Sequence, residues 1–305
     1  MPQANYVVSI QGLVSIIAKH YYANLPYKII KKKTLAQWIK RNSIYIEKKE
    51  YEKKAKDEIE LLKKVENVIG RTSWDKACTY NINKDLNYYY CGESLRSPFY
   101  NNKWNIEKIK KHSIYISQAS YPIKGFHIFL EAFKEIIINF PDAHVYVAGK
   151  DIIKNKTLLD KLKKKYYYKY IIKKIKEYKL EKHITFVGEL DDKKVCELML
   201  KCNVSVCPSA IENSSNSIGE ALAIGMPVVA SYVGGTPDFI EHNKEGFLYP
   251  FNEYYMLQHY IERIFKSDDI AKKISCNAYE RAKKLYDRNQ NKKDLIEIYE
   301  KIIKK

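Results

Sequence analysis

Residues 107–285 of this 305-residue chain predict a doubly wound α/β domain on a parallel sheet, and two observations carry that prediction. From about residue 112 to residue 249, short β-branched runs alternate with amphipathic stretches, the order that builds βαβ units. The short runs are apolar throughout rather than at every second position, which marks strands covered on both faces. Strands are expected at 112–117, 143–149, 183–188, 204–207, 228–231 and 246–249, with helices at 125–139, 155–179, 192–201 and 216–225. The front, residues 1–106, is different. A strand is expected at 6–10, a long charged helix at 47–66 and a short strand at Val68 and Ile69. Thr72-Ser73-Trp74-Asp75 has the spacing of a capping box that opens a further helix, and 87–91 reads as one more strand. Beyond residue 253 the pattern is helical, at 253–266, 270–285 and 291–303.

Composition narrows the functional classes. A hydrophobic content of 46% is enough for buried cores. The formal net charge is +18, from 54 basic and 36 acidic residues, yet arginine occurs only at positions 41, 71, 96, 263, 281 and 288. Lysine lacks the planar fork that reads base edges, so nucleic acid is not an expected partner. A lysine-rich surface suits an anionic membrane, and compositional bias toward Lys, Tyr, Ile and Asn is the plainer source of the charge. Lys161, Lys163, Lys164 and Lys165 with Tyr166, Tyr167 and Tyr168 are expected to form a solvated basic helix face. Six cysteines without C-x-x-C spacing read as reduced thiols of a cytoplasmic protein. The early apolar stretch 6–18 is interrupted by Ser9, Gln11, Gly12 and Ser15 and is too short to span a bilayer, so membrane contact is expected to be peripheral, at the inner face of the plasma membrane.

The most informative run is 208–231. It reads as a strand end, a polar turn, a helix, a Gly225-Met226-Pro227 stop and a second strand, with Ser214, Ser215 and Asn216 as N-cap candidates. That order aims a helix N-terminus at the C-terminal edge of the sheet. Free backbone N–H groups and the positive end of the helix dipole favour a phosphate there. Glu220, one turn inside the helix and beside Gly219, which leaves room for a ligand, is placed to accept from ribose hydroxyls. Glu212, on the loop before, reaches a sugar beyond the phosphates. Both carboxylates also have plainer readings, as a helix-surface and a loop residue. Gly234 and Gly235, with Thr236 as N-cap and Pro237 at the first helical position, make either a second phosphate-ready turn or a tight strand-to-helix turn. Gly188 and Glu189, after a strand, are placed to meet a base. The seven histidines form no H-x-x-x-H pair and no Asp-x-Asp is present, so no metal site is expected; Asp191 and Asp192 read as a helix cap.

These residues resemble glycosyltransferase family 4, whose C-terminal half is the group 1 glycosyl transferase domain. Glu212 and Glu220 match its E-x7-E donor signature. Residues 117–125 before a helix, 145–149, 186–188, 233–237 and 245–248 follow in the family's order. The likeness is strong over about 110–285 and looser over 1–105. It implies a GT-B fold, with a partial Rossmann-like acceptor-side domain over 1–106, a nucleotide-sugar-binding domain over 107–285, and a C-terminal helix, 286–305, that braces the first domain. The opening half of the first domain, with its glycine-rich loop, is expected to be missing. By resemblance, Lys124 sits on the donor's diphosphate, Glu212 contacts the sugar ring as the second catalytic residue, and Glu220 holds the ribose. Ser215, Asn216, Ser217, Gly188, Gly234 and Gly235 complete donor binding. The family's arginine five residues before this lysine is replaced here by Ala119, with Lys150, or Ser120 and backbone amides, as substitutes. His20 and Arg71 are candidates to line an acceptor cleft.

The implied reaction moves a sugar, with retention of anomeric configuration, from a nucleotide diphosphate-sugar to a saccharide or lipid-linked acceptor in surface polysaccharide or glycan synthesis. It uses no cofactor and no metal. The alternatives are a donor-binding remnant or split-enzyme half, and a basic membrane- or nucleic-acid-binding module.

Overall fold

The computed structural model describes residues 6–40, 42–154 and 165–304. Two parallel sheets organise them. The first has the order β1-β2-β3, with β1 at Val7–Ser9, β2 at Asn67–Gly70 and β3 at Asn87–Tyr90. The second has six strands: β4 (Ser113–Ile116), β5 (His144–Ala148), β6 (Ile184–Gly188), β7 (Val204–Cys207), β8 (Val228–Ser231) and β9 (Phe247–Tyr249). Their order is β6-β5-β4-β7-β8-β9, and every pairing is parallel. The chain therefore lays strands outward one way from β4 and then the other way from β7. The loops leaving those two strands diverge, which opens a crevice at their C-terminal ends.

Five helices belong to the front: α1 (Val14–His20), α2 (Tyr27–Lys31), α3 (Leu35–Lys40), α4 (Ile44–Lys64) and α5 (Ser73–Ile82). The second sheet is wrapped by α6 (Phe126–Asn139), α7 (Tyr166–Glu177), α8 (Asp192–Leu200), α9 (Asn216–Ile224), α10 (Thr236–Phe239), α11 (Tyr254–Lys266) and α12 (Asp268–Leu285), and α13 (Arg288–Ile303) follows. Residues of β4, β7 and β8 are buried along their whole length, as continuous apolar runs require. The apolar stripe of α6, Phe126, Phe129, Leu130, Phe133 and Ile136, is fully buried in the same core. That core also takes in Tyr21 and Leu25 from the turn between α1 and α2, and Ile29, Ile30 and Ile44 from α2 and α4. A separate small cluster forms under the first sheet from Ile10, Leu13, Leu62, Val65, Val68 and Leu86. Ile298 and Ile302 of α13 pack with Ile69 and Cys91 of the first sheet.

The sequence reading misses α1 to α3, although α3 has a local signal: Thr34 Oγ1 accepts from Gln37 N at 3.2 Å and Gln37 Oε1 accepts from Thr34 N at 3.3 Å, a capping box. The N-terminus of α1 has no side-chain cap of its own; Glu58, on α4, accepts from Val14 N and Ser15 N at 2.8 Å each. The expected capping box is present on α5, with Thr72 Oγ1 accepting from Asp75 N and the Asp75 carboxylate from Thr72 N. The tyrosine run needs a correction. Residues 155–164, with Lys161, Lys163 and Lys164, lie outside the described residues. Of the remainder, Tyr167 and Tyr168 are buried in the main core rather than solvated, and Lys165 pairs with Glu47 on α4. Apolar area on those two rings outweighs the run of charge beside them. Among the described residues, no helix is long and apolar enough to cross a membrane.

Candidate functional site

The turn after β4 is set by Gly125. It holds φ +67° as the N-cap of α6, and a Cβ there would stand 1.6 Å from the carbonyl oxygen of Pro208. Only a bare Cα lets the loop after β7 come this close. The contact brings Lys124 beside the segment 208–220. Asn213, in that segment, is buried and fixed from the first sheet: Thr72 Oγ1 donates to its Oδ1 at 2.7 Å, and its Nδ2 donates to Asp75 Oδ2 at 2.9 Å. The helix cap of α5 thus doubles as the anchor of this loop. Ser214 Oγ donates to Glu93 at 3.1 Å, a second tie to the front of the chain.

These constraints gather Lys124, Glu212, Ser215, Asn216, Ser217 and Glu220 around one crevice of about 580 Å³ at the β4/β7 divergence. Ser215 is the N-cap of α9 and makes no side-chain cap hydrogen bond; its hydroxyl meets Ser217 Oγ at 3.2 Å instead. The first N–H groups of α9 are therefore free of the usual intrahelical cap at the crevice wall. Gly225, at φ +74°, ends α9 where the sequence placed its stop.

Each glutamate of the segment holds one cation. Lys124 Nζ lies 2.5 Å from Glu212 Oε1. Burial draws the lysine's pKa down, but Glu212, aided by Cys207, outweighs it and holds the ammonium above its ordinary value. At the other end, Arg96 grips Glu220 with two parallel bonds, Nε to Oε1 at 2.6 Å and Nη2 to Oε2 at 2.8 Å, and reaches Asp192 with Nη1 at 2.6 Å. The Glu220 side chain is 4% exposed. Its burial raises the carboxyl pKa despite the guanidinium, while the bond to Glu220 raises that of Arg96. Arg96 enters from the segment joining the two sheets, 124 residues away from Glu220. No local pattern points to it; the signal in the sequence was that so few arginines occur and one stands just before the second sheet.

Other expected residues are placed differently. Gly219 offers no room for a ligand: a Cβ there would meet the Tyr286 hydroxyl at 2.5 Å and Leu95 at 3.1 Å. Gly234 and Gly235 do not line the crevice. A Cβ on Gly234 would stand 1.9 Å from Glu212 O, and Gly235 N donates to that same carbonyl at 3.0 Å, so this turn packs the Glu212 loop from behind. Gly235, not Thr236, is the N-cap of α10, which is a single four-residue turn. Gly188 takes φ +80° with open space around it, while its neighbour Glu189 lines the crevice. Ala119 is fully buried and does not line the crevice, and Lys150 is outside it too, with Nζ 5.9 Å from the Tyr168 ring centre. Ser120 is turned onto Gln118 Oε1 at 2.7 Å. Asp191 caps α8, whereas Asp192 serves Arg96. Among the described residues no group of three or more His, Cys, Asp or Glu is placed so that it could hold a metal ion.

On the far side of the Lys124–Glu212 pair is a smaller cavity of about 260 Å³, lined by Leu13, Ile17, Tyr21, Tyr51, Trp74 and Tyr121 along with the pair itself. Neither His20 nor Arg71 lines it. His20 is exposed at the end of α1, and Arg71 is bound to Ile10 O at 3.1 Å and to Glu93 at 3.4 Å.

Two parallel α/β sheets with a crevice at the carboxyl ends of the larger one define a GT-B type of fold. The architecture is similar to sucrose-phosphate synthase from Thermosynechococcus elongatus, at a TM-score of 0.73 and 18% identity, covering 98% of this chain and 68% of that one. It is similar also to Anabaena HepE, solved in complex with UDP and glucose, at 0.72 and 18%, covering 96% and 71%. Residues 97–281 match the family described as Glycosyl transferases group 1, more than half of the chain, and the chain belongs to that family. Similar sequences include spore coat protein SA of Bacillus subtilis, 25% identical over 196 residues (63% of this chain and 49% of the relative). Another is the putative glycosyltransferase YtcC of the same organism, 25% identical over 228 residues (72% and 53%). The chain spans about half the length of these two relatives.

Proposed function

We propose that this chain binds a nucleotide diphosphate-sugar in the 580 Å³ crevice and transfers the sugar, with retention, to an acceptor hydroxyl in surface polysaccharide or glycan synthesis. One observation carries the reading: an uncapped N-terminus of α9, Lys124, Glu212 and Glu220 all face the same crevice at the sheet's switch point. The diphosphate lies against the first N–H groups of α9, where the helix dipole favours negative charge. Lys124 stands beside it, and its charge stabilises the leaving diphosphate as the glycosidic bond breaks. That fixed cation supports a reaction without a metal ion. Glu220 accepts from the ribose hydroxyls, since each carboxylate oxygen keeps a lone pair beyond the one Arg96 uses. Glu212 faces the sugar ring and the positive charge that develops on it. That HepE was solved with UDP and glucose supports a sugar-nucleotide ligand. The acceptor is a saccharide or a lipid-linked glycan entering from the aromatic cavity beyond Lys124, whose rings suit stacking on pyranose faces. An anionic membrane surface is the further partner in this reading, with the protein peripheral on its cytoplasmic side.

Nucleotide-sugars screened by thermal shift on the purified chain test this directly, because a ligand of the native state raises its midpoint. One nucleotide-sugar should raise it, and calorimetry of Glu220→Gln should then show a dissociation constant about 10- to 100-fold weaker, the loss of a charged hydrogen bond. Binding unchanged in that variant removes the crevice as the donor site. Donor binding without turnover would instead assign the chain a binding role.

A further inference from the structure

Another cavity, of about 570 Å³, lies where the units built on the two sheets meet, and it shares no lining residue with the crevice or with the aromatic cavity. One wall comes from α5 and β3, with Lys76, Tyr88 and Tyr90; the other comes from α10 and α12, with Asp238 and Arg281. The walls are clasped by Ser73, which donates its N–H and its hydroxyl to the Asp238 carboxylate, the hydroxyl at 2.8 Å. That carboxylate supplies the negative charge that the N-terminus of α5 favours. Two cations are left over. Lys76 is exposed, with Nζ 5.7 and 5.8 Å from the Tyr80 and Tyr88 ring centres, and among the described residues it forms no ion pair. Arg281 donates Nη2–H to the backbone oxygen of Asp238 at 2.7 Å, while its Nε is buried and has no hydrogen-bond partner. A buried guanidinium N–H without an acceptor is costly unless something negative reaches it. Arg71 also lines the cavity, but Glu93 at 3.4 Å matches its charge. Tyr88 and Tyr90, two apart on β3, stand on the same side of the strand, and Tyr90 is 53% exposed.

We propose that this cavity binds the phosphoryl group of a small metabolite between Lys76 and Arg281, with any organic part lying on the exposed ring of Tyr90. Charge and donor count select that group. A phosphate monoester carries about −1.5 to −2 charges at neutral pH and three acceptor oxygens, which matches two cations that have no acid of their own. A carboxylate would neutralise only one of them. Guanidinium and ammonium donors on opposite walls suit a group that accepts from several directions. The volume falls within the range of small-molecule sites, about 300 to 1,000 Å³, and the Tyr90 face offers a sugar or other ring a surface to stack on. Because Lys76 stands on α5 and Arg281 on α12, one phosphoryl group would bridge the two units. A link to the crevice runs through Thr72 and Asp75, at the same end of α5, which hold Asn213 in the loop that carries Glu212. The inference requires no sugar transfer and does not rest on the reading proposed above.

Calorimetric titration of the full chain tests it, with glucose-6-phosphate, inorganic phosphate and unphosphorylated glucose as probes. Both phosphates should bind and glucose should not. Lys76→Gln and Arg281→Gln should each weaken phosphate binding about 10-fold or more, the loss of one charged hydrogen bond. Tighter binding of the ester that Tyr90→Ala brings down to the level of inorganic phosphate upholds the site with an organic phosphate as its occupant. Equal affinity for both probes, with the same loss in Lys76→Gln, upholds it with free phosphate instead. Absence of binding by the unaltered chain would overturn the proposal, as would binding that neither Lys76→Gln nor Arg281→Gln changes. So would a loss in Lys124→Ala as large as that in Lys76→Gln, because the probes would then be in the donor crevice. Thermal melts establish that each variant is folded, and Lys76, being exposed, keeps the test decisive if Arg281→Gln does not fold. Nucleotide-sugar binding to the unaltered chain reports on the crevice separately, so either reading can fail while the other stands.

Discussion

Two salt bridges at the ends of one short segment set the chemistry of the crevice. Lys124 with Glu212 and Arg96 with Glu220 bring two cations to the wall of the crevice, and each is oriented by a carboxylate with few other partners. If Lys124 acts on the leaving group, Lys124→Ala should lower kcat by about 10²- to 10³-fold and shift the melting midpoint little. An equal loss of turnover and stability would make it a structural residue. Arg96 is predicted to act through Glu220. Its removal leaves a buried carboxylate without its cation, and because the guanidinium is 38% exposed the cost should be about 1 to 2 kcal/mol rather than that of a fully buried pair. Arg96→Ala combined with Glu220→Gln should cost less than the two single changes added together, in a urea-denaturation double-mutant cycle. Strict additivity would show that the bidentate contact does not couple them.

At the scale of elements, helices reach the site by being held from outside themselves. α6 is the clearest case. His127, buried on it, donates Nε2–H to Ala23 O at 2.8 Å, which ties the α1–α2 turn to the second sheet. Burial is the main reason its pKa falls to about 4, partly opposed by the Ala23 carbonyl; Lys174 adds to the drop and Glu131 resists it. The folded state therefore keeps the ring neutral while the unfolded chain protonates it near the ordinary 6.5. Its contribution is complete above pH 6.5 and drains away as the pH falls toward 4, on the order of 3 kcal/mol in all. Urea midpoints taken between pH 7 and pH 4.5 should fall more steeply in the unaltered protein than in His127→Gln. Parallel curves would mean the ring does not carry this pH dependence.

On the scale of the whole molecule, the two sheets are joined by more than the linking segment. Asn213 reaches Thr72 and Asp75, Arg96 reaches Glu220, the front helices enter the main core, and α13 returns to the first sheet. The return of α13 gives a test. Ile298→Ala with Ile302→Ala should destabilise the protein by about 2 kcal/mol or more and make the buried Cys91 thiol react faster with a thiol reagent. Cys91 reactivity that stays at the level of the unaltered chain would show that α13 does not seal that sheet.

The sequence by itself determined the parallel α/β architecture, the strand and helix order from residue 112 onward, the helix start near Ser215 with its stop at Gly225, and the capping box at Thr72, because each is written in residues within a few positions of one another. It also singled out Glu212, Glu220 and Lys124, which the structure places around one crevice. Only the tertiary structure decided which groups surround them. Arg96 meets Glu220 across 124 residues, Glu58 caps α1 across 43 and 44, and Gly234 and Gly235 serve the Glu212 loop instead of a ligand. Local spacing encodes backbone conformation, whereas an ion pair or a close backbone approach between distant segments depends on how the sheets and helices pack, and that is fixed by the sum of many weak apolar contacts.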